Sequence, residues 1–205
     1  GARTVVVGVG GSASTDGGAG MLAALGARLT GPHGPLPDGG AHLRDVVAVD
    51  LTGLHPGLAE ATVRLASDVD NPLLGPDGAA AVYAPQKGAD PAGVAALEAG
   101  LAAFVTALER AGVPGARDLA QAPGAGAAGG VGYACLLLGA DRRPGIEEVL
   151  ALTGFADRLA GADLVVTGEG SLDEQSLHGK APVGVARAAA RAGVPTVAVC
   201  GRSTL

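Results

Sequence analysis

The sequence contains very few aromatic residues and no tryptophan. Phe, Tyr and Trp together make up 2% of the 205 residues. Proteins that bind single-stranded nucleic acids usually stack the bases on aromatic rings, so this composition argues against that function. Acidic residues also outnumber basic ones, and the net charge is −6. A nucleic-acid-binding surface is basic. We therefore expect no nucleic-acid partner.

Cysteine is equally rare. The two cysteines, Cys135 and Cys200, lie in apolar runs and lack the spacing of a metal site. This pattern predicts two buried thiols in a reducing compartment, and hence a cytoplasmic protein.

Long apolar runs and a starting methionine are missing as well. No run is predicted to span a membrane, so we expect no membrane partner. The chain starts with Gly1 and stops just after an apolar strand at Thr196 to Cys200. From these ends we expect a fragment of a longer protein.

Glycine, proline and small apolar residues dominate instead, with 36 glycines, 13 prolines and 48% hydrophobic residues. The run from Thr4 to Val9 is β-branched and predicts a buried strand. A glycine-rich loop from Gly8 to Gly18 follows, and then a predicted helix from Ala19 to Leu29. Strand, glycine loop and helix in this order are typical of a phosphate-binding turn in an α/β fold. A glycine-rich connector without a ligand is the alternative.

The glycine loop also fits a relaxed dinucleotide-binding pattern at Gly8, Gly10 and Ala13. That pattern requires an acidic residue about 20 positions further on, where Arg28 stands instead. The sequence therefore disfavours an NAD-dependent oxidoreductase and retains the prediction of an anion site.

Two carboxylates follow the predicted strand from Thr62 to Ala66. Asp68 and Asp70 are two residues apart, which places both on one face of an extended segment. Such a pair suits divalent metal binding or removal of a proton from a hydroxyl group. Alternatively, Asp70 and Asn71 form a local turn before Pro72.

The stretch from Ala162 to Lys180 combines a strand, a polar loop and a helix start. The strand Leu164 to Val166 leads into a loop predicted to begin at Thr167, and the next helix is predicted from Pro182 to Ala192. Ligands of α/β proteins bind beyond the carboxyl ends of strands. The carboxylates and the lysine of this loop therefore predict a metal-assisted anion site, and a solvated connecting loop is the alternative.

The remaining segments are predicted to be mainly scaffold. Residues 30–45 are interpreted as a surface excursion, and Val46 to Leu51 as a strand. A helix begins at Pro91 after an Asp90 cap. The glycine-rich stretch Pro123 to Gly132 predicts either close packing or a ligand site. Lys87 is interpreted as an exposed lysine, with contact to an anion as the alternative, and Arg142 to Gly145 as a basic turn.

Four stretches together resemble the type I glycerate kinases, an ATP-dependent family. They are GVGGSASTDGGAGMLAALGARL from Gly8, SDVDNPLLGPDGAAAVYAPQKGA from Ser67, PGAGAAGGVG from Pro123 and TGEGSLDEQSLHGKAPVGVA from Thr167. Their order matches the family, and they spread over nearly the whole chain. This chain has Ser14 and Thr15 where the family usually has Thr and Asn, and Ser67 where a Cys is common. The family's N-terminal Ser-Phe-Lys-Gly-Ser and Asp-Gly-Gly-Glu-Gly-Thr motifs are absent.

The resemblance implies an α/β fold with two domains. One domain is flavodoxin-like with a parallel sheet and is built from both ends of the chain, and the other is inserted into it. Residues 1–139 would be the inserted α/β domain, and residues 140–205 the returning C-terminal part of an incomplete flavodoxin-like domain. The active site of the family lies in the cleft between the two domains.

The resemblance also implies ATP-dependent phosphorylation of D-glycerate, with the 2-hydroxyl favoured as acceptor, and Mg²⁺ as cofactor. Asp68 would accept the hydroxyl proton, Glu169 and Asp173 would hold Mg²⁺, and Lys180 would offset charge on the transferring phosphoryl group. The candidates for binding substrate or phosphate are Gly10, Gly11, Ser12, Asp16, Asp70 and Asn71.

Two questions stay open at this stage. A non-catalytic homologue that binds a small organic acid or a nucleotide is the main alternative, because the N-terminal lysine motif is absent. The oligomeric state is also undetermined, a homodimer included. If the chain is a fragment, we expect it to be inactive by itself.

Overall fold

The computed structural model describes residues 1–172 and 181–204. The chain divides into two compact units, Gly1–Arg142 and Arg143–Leu205, and each is described by itself. This boundary lies three residues beyond the predicted one. The assignment of the units to an inserted domain and a returning half stays a prediction.

The first unit contains a parallel strand pair that carries the glycine loop. Strand β1 (Thr4–Gly8) pairs in parallel with β5 (Thr62–Ala66), with Thr4 opposite Thr62 and Gly8 opposite Ala66. β1 lies at the edge of a three-stranded sheet of order β1-β5-β6, and Val5 is 40% exposed. The prediction of a buried strand was wrong in this respect, because an edge strand has a neighbour on one side only. The strands of this sheet are β1 (Thr4–Gly8), β5 (Thr62–Ala66) and β6 (Asp141–Arg143).

A small antiparallel sheet forms in the region of the predicted surface excursion, whose residues are mostly exposed. Helix α1 (Ala19–Ala24) ends five residues earlier than predicted, and Gly26 takes a φ of 108°. A Cβ at Gly26 would lie closer than 3.0 Å to the carbonyl group of Gly53, so glycine is required where the chain turns back. The strands that follow pair in the order β3-β2-β4. They are β2 (Arg28–Gly31), β3 (Gly34–Pro35) and β4 (Ala48–Asp50).

Helix α3 (Pro91–Arg110) is the centre of the first unit's core. It begins as predicted, since Pro91 is its first residue and the carboxylate of Asp90 accepts a hydrogen bond of 2.7 Å from the amide of Gly93. Phe104 is fully buried and meets the ring of Tyr133 edge-on, with the ring centroids 6.4 Å apart. The shorter helices of this unit are α2 (Ala79–Tyr83), α4 (Ala116–Ala120) and α5 (Val131–Leu137).

By length and composition alone, α3 could cross a membrane, with a mean hydropathy of 1.6. The expectation that no run is long enough was therefore wrong for this helix. Its fully buried residues Leu101, Phe104, Val105 and Leu108 belong to the core cluster of the unit. A core helix passes the same test of length and hydropathy, so the finding does not by itself indicate a membrane span.

The second unit is built around another parallel strand pair. Strands β7 (Val165–Leu172) and β8 (Thr196–Ser203) are joined by helix α8 (Ala181–Arg191). Val165 lies opposite Thr196, and Glu169 lies opposite Cys200. Two further helices precede β7, namely α6 (Gly145–Leu152) and α7 (Phe155–Arg158). Parallel strands connected through helices confirm the predicted α/β class.

Three local predictions in this part of the chain need correction. β7 continues to Leu172, because β8 offers backbone partners along its whole length, so Gly168 and Glu169 belong to a strand and not to a loop. Arg142 is in strand β6 and not in a basic turn. Cys200 is half-buried on the two-stranded sheet, whereas Cys135 is fully buried as predicted, and both are free thiols. Burial raises the pKa of Cys135 to about 11.

Candidate functional site

The loop after β1 is open to solvent. A Cβ at Gly10 or Gly11 would meet no atom within 4 Å, so packing does not require glycine at either position. Within the described part of the chain, Gly10, Gly11 and Ser12 donate no backbone hydrogen bond. Free amides in an open glycine loop can approach a carboxylate or phosphate closely. The arrangement agrees with the anion-binding hypothesis for these three residues.

Asp16 has a local structural role at the end of the same loop. One carboxylate oxygen accepts a hydrogen bond from the amide of Gly18, and the other from the amide of Gly20, both at 3.0 Å. These amides lie at the start of α1, where backbone donors lack helical partners. Asp16 therefore stabilises the turn from the loop into the helix, and its proposed contact with substrate would come in addition.

The second glycine-rich stretch packs against this loop. A Cβ at Gly129 would lie closer than 3.0 Å to the backbone of Ser14, and a Cβ at Gly130 would overlap Gly17. The carbonyl of Gly129 also accepts a hydrogen bond of 2.9 Å from the amide of Gly17. The sequence left open whether these glycines serve packing or a ligand. The structure shows close packing that supports the first loop.

The loop after β5 leaves the sheet at the same edge as the loop after β1. The two strands are parallel neighbours, and the amide of Val9 donates to the carbonyl of Ala66 at 3.2 Å. Asp68 follows two residues later and is exposed. The structure thus brings Asp68 and the glycine loop to one edge, where ligands of α/β sheets bind.

Asp70 and Asn71 hold this second loop in place. Asp70 accepts from the guanidinium of Arg142 at 2.6 Å, although its carboxylate is 81% exposed. The Asn71 side chain donates to the carbonyl of Asp77 at 2.8 Å and accepts from the Tyr83 hydroxyl at 2.6 Å. These contacts give both residues a structural role, but they join more distant residues and are not the local turn predicted as the alternative. A direct substrate contact stays a prediction.

Sequence reasoning overlooked Arg142. The same guanidinium nitrogen that binds Asp70 also donates to the carbonyl of Val69 at 3.0 Å. Arg142 is thus bonded to both residues that follow Asp68. Nothing near Arg142 in the sequence signals this contact, because the partners lie more than 70 positions apart.

Lys87 was also underestimated. Its ammonium group donates to the hydroxyl of Ser12 at 2.9 Å and to the carbonyl of Ser14 at 2.6 Å. Burial lowers the pKa of Lys87 from its ordinary value, and the carboxylate of Asp16 opposes this effect. The scarcity of lysine could have drawn attention to it, since the chain has only two, Lys87 and Lys180.

The predicted metal site belongs to the second unit. Glu169 is half-buried on β7, and Asp173 and Lys180 lie outside the described residues. Among residues 1–172 and 181–204, no group of three or more His, Cys, Asp or Glu side chains could hold a metal ion. Mg²⁺ needs only one or two protein carboxylates when substrate phosphates supply further ligands, so the donor chemistry of Glu169 fits this ion.

Comparison with known proteins identifies the family. Residues 1–205 match the sequence profile of a family described as "Glycerate kinase family". The chain belongs to the glycerate kinase family. A glycerate kinase from Halalkalibacterium halodurans is 43% identical over 203 residues, which are 98% of this chain and 53% of that protein. A glycerate 2-kinase from Escherichia coli K12 is 41% identical over 206 residues, covering 100% of this chain and 53% of that protein.

The fold agrees with this membership. The crystal structure of a protein described as glycerate kinase 2 from Salmonella typhimurium LT2 superposes with a TM-score of 0.84 at 42% identity. The match covers 98% of this chain and 53% of that one. The chain therefore spans about half the length of the glycerate kinases that it matches. The two-domain glycerate kinase architecture predicted from the motifs is supported at the level of the fold.

Proposed function

We propose that this chain is part of a glycerate kinase that transfers the terminal phosphoryl group of ATP to a hydroxyl of D-glycerate. The favoured acceptor is the 2-hydroxyl, so the products are 2-phosphoglycerate and ADP. The observation that carries the proposal is the shared edge of β1 and β5, where open backbone amides and Asp68 occur together. Membership of the glycerate kinase family supports it.

The residues at this edge have separate roles in substrate binding and proton transfer. The amides of Gly10, Gly11 and Ser12 bind an oxyanion, because they donate no backbone hydrogen bond within the described residues. Asp68 accepts the proton that the glycerate hydroxyl loses as it attacks phosphorus. Asp70 and Asn71 keep the loop in the conformation that presents Asp68.

The second unit supplies the groups that act on phosphate charge. Glu169 and Asp173 hold Mg²⁺, directly or through water. When bound, Mg²⁺ neutralises charge on the phosphate oxygens. Lys180 offsets the remaining charge on the transferring phosphoryl group. These are the roles that phosphoryl transfer requires beyond alignment of donor and acceptor.

The proposed partners are small molecules, ATP and D-glycerate, with Mg²⁺ as cofactor. The low aromatic content and the net charge of −6 support the absence of a nucleic-acid partner. The two free thiols, Cys135 and Cys200, agree with a cytoplasmic, reducing environment.

The test is a kinase assay on the full-length protein that carries this chain. ADP release is measured with Mg²⁺–ATP and D-glycerate, with L-glycerate as the control substrate, and ³¹P NMR identifies the phosphorylated hydroxyl. We expect ADP release that depends on D-glycerate, and a 2-phosphate product. Binding of D-glycerate without any ADP release would instead support the non-catalytic homologue. A 3-phosphate product would contradict the assignment of the acceptor.

A further inference from the structure

Lys87 connects two segments that are far apart in the sequence. It ends a short 3₁₀ turn, Pro85–Lys87, and its ammonium group reaches Ser12 and Ser14 in the glycine loop. Holding a lysine side chain in one rotamer costs conformational entropy, so two such contacts from one lysine are unusual for a residue near the surface. The position of Lys87 is therefore defined by the loop that is proposed to bind substrate.

Lys87 is among the residues that line a cavity of about 280 Å³. Ser14, Asp16, Gly40 and Lys87 are among the residues that line it. One water molecule takes up about 30 Å³, so the cavity has room for a small organic ion. It belongs entirely to the first unit.

The hydrogen bonds around Lys87 leave one donor for a ligand. A lysine ammonium has three N–H donors, and in the described structure two of them are directed to Ser12 and Ser14. Both oxygens of the neighbouring Asp16 already accept backbone amides. Because partial burial disfavours the charged amine, an incoming anion would replace solvation that Lys87 has lost.

We propose that Lys87 binds an oxyanion of the substrates in this cavity, while its other two donors hold Ser12 and Ser14 of the glycine loop in place. The oxyanion is the carboxylate of the hydroxy acid or a phosphate oxygen of the nucleotide, which share the same chemistry towards an ammonium group. This assignment rests on the proposed function and adds a cationic residue to it.

The first experiment needs no substitution. The full-length protein is acetylated briefly with an amine reagent, and mass spectrometry measures the rate of modification at Lys87. The parallel samples contain D-glycerate, Mg²⁺–ATP, inorganic phosphate, or sodium chloride at the same ionic strength. We expect one of the three anions to slow the modification at least about fivefold relative to sodium chloride. Protection by D-glycerate identifies the carboxylate, and protection by ATP or phosphate identifies the phosphate oxygen. Equal rates in all four samples would overturn the proposal.

The second experiment compares Lys87→Met with Lys87→Arg and with the control Arg110→Met, which removes an exposed positive charge at the end of α3. Loss of a charge-assisted hydrogen bond costs about 1.5–3 kcal/mol, which corresponds to roughly 10- to 100-fold weaker binding of the protecting anion. We expect this loss for Lys87→Met, partial recovery for Lys87→Arg and no change for the control, measured by titration calorimetry. If a folded Lys87→Met binds all three anions normally, Lys87 only clamps the loop and the proposal fails.

The wild-type kinase assay separates this inference from the proposed function. Anion protection at Lys87 without phosphorylation of D-glycerate would refute the kinase and support the oxyanion site. Phosphorylation without protection by any of the anions would support the kinase and refute the role of Lys87.

Discussion

Asp70 lies two residues after Asp68, and its contacts hold the loop after β5 in place. Asp70 is bound to Arg142, which also holds the carbonyl of Val69. The Asp70 carboxylate is 81% exposed, and exposed ion pairs contribute about 0–1 kcal/mol to stability. We infer that the pair orders the loop more than it stabilises the fold.

Substitution of Asp68 tests its role as the base. In the full-length protein, Asp68→Asn should lower kcat by about 10²–10⁴-fold while KM for glycerate changes little, because the amide cannot accept the hydroxyl proton. Steady-state kinetics with a melting curve provide the measurement. Asp77→Asn, which changes another exposed carboxylate of the same segment, is the matched control. A lower melting temperature with unchanged kcat would make Asp68 a turn residue.

At the scale of whole elements, the two glycine-rich segments serve different purposes. Gly8, Gly10 and Gly11 of the loop after β1 border open space. Gly17 and Gly18 at the end of that loop, and the glycines around the start of α5, contact other segments. Gly10 and Gly132 make a clean comparison, because neither has a positive φ. A Cβ at Gly132 would overlap the carbonyl of Gly124, but one at Gly10 would meet nothing within 4 Å.

Alanine at these two positions should therefore give opposite results. Gly132→Ala should lower the free energy of unfolding by about 1–3 kcal/mol, the usual cost of overpacking. Gly10→Ala should change it by less than about 0.5 kcal/mol but weaken binding of the substrate anion, because the new methyl group stands at an open ligand surface. Urea unfolding and calorimetry of the full-length variants measure the two quantities. Equal loss of stability at both positions would mean that the first loop is also packed.

Strand β7 carries Glu169, one of the two proposed metal ligands. Glu169→Gln should raise the Mg²⁺ concentration needed for half-maximal activity, because it removes a carboxylate ligand. Lys180→Ala should reduce the rate even at saturating Mg²⁺, because it removes positive charge from the phosphoryl group and not from the metal. A Mg²⁺ titration of kcat/KM for both full-length variants measures these effects. An equal shift in Mg²⁺ dependence for both variants, or no shift for either, would contradict this division of roles.

At the scale of the molecule, the two units differ greatly in their cores. The first has a large cluster that includes Leu101, Phe104 and Tyr133. In the described part of the second, the buried cluster consists of Leu159, Val165, Ala189 and Val194. Several valines of its sheet are exposed, and Val166 is 65% exposed. A unit below about 70 residues rarely gains much stability from such a core.

We therefore expect the isolated 205-residue chain to lack kinase activity. It spans about half the length of its relatives, and the described part of its second unit, which carries Glu169, has only a small buried cluster. ADP release from Mg²⁺–ATP and D-glycerate, measured for the isolated chain beside the full-length protein, tests this. Phosphorylation of glycerate by the isolated chain would contradict both the expected inactivity and the proposed domain assignment.

Features that depend on nearby residues were predictable from the sequence. The run of β-branched residues before a glycine loop predicted β1, and Asp90 with Pro91 predicted the start of α3. Both signals act over a few residues, through side-chain sterics and capping hydrogen bonds. Asp68 follows a predicted strand of an α/β protein, and ligands of such proteins bind beyond the carboxyl ends of strands. The sequence therefore also predicted a candidate site at the carboxyl end of β5.

Tertiary structure alone decided the features that join distant residues. The contacts of Lys87 with Ser12 and of Arg142 with Asp70 each span more than 70 positions. Helical spacing at Leu29 suggested a longer α1, but pairing with β4 makes that residue part of a strand. Free energy gained from such contacts is available only once the chain has folded, so no local pattern encodes it. By itself the sequence determined the candidate residues and the local elements that carry them, and the fold decided which distant residues are held together.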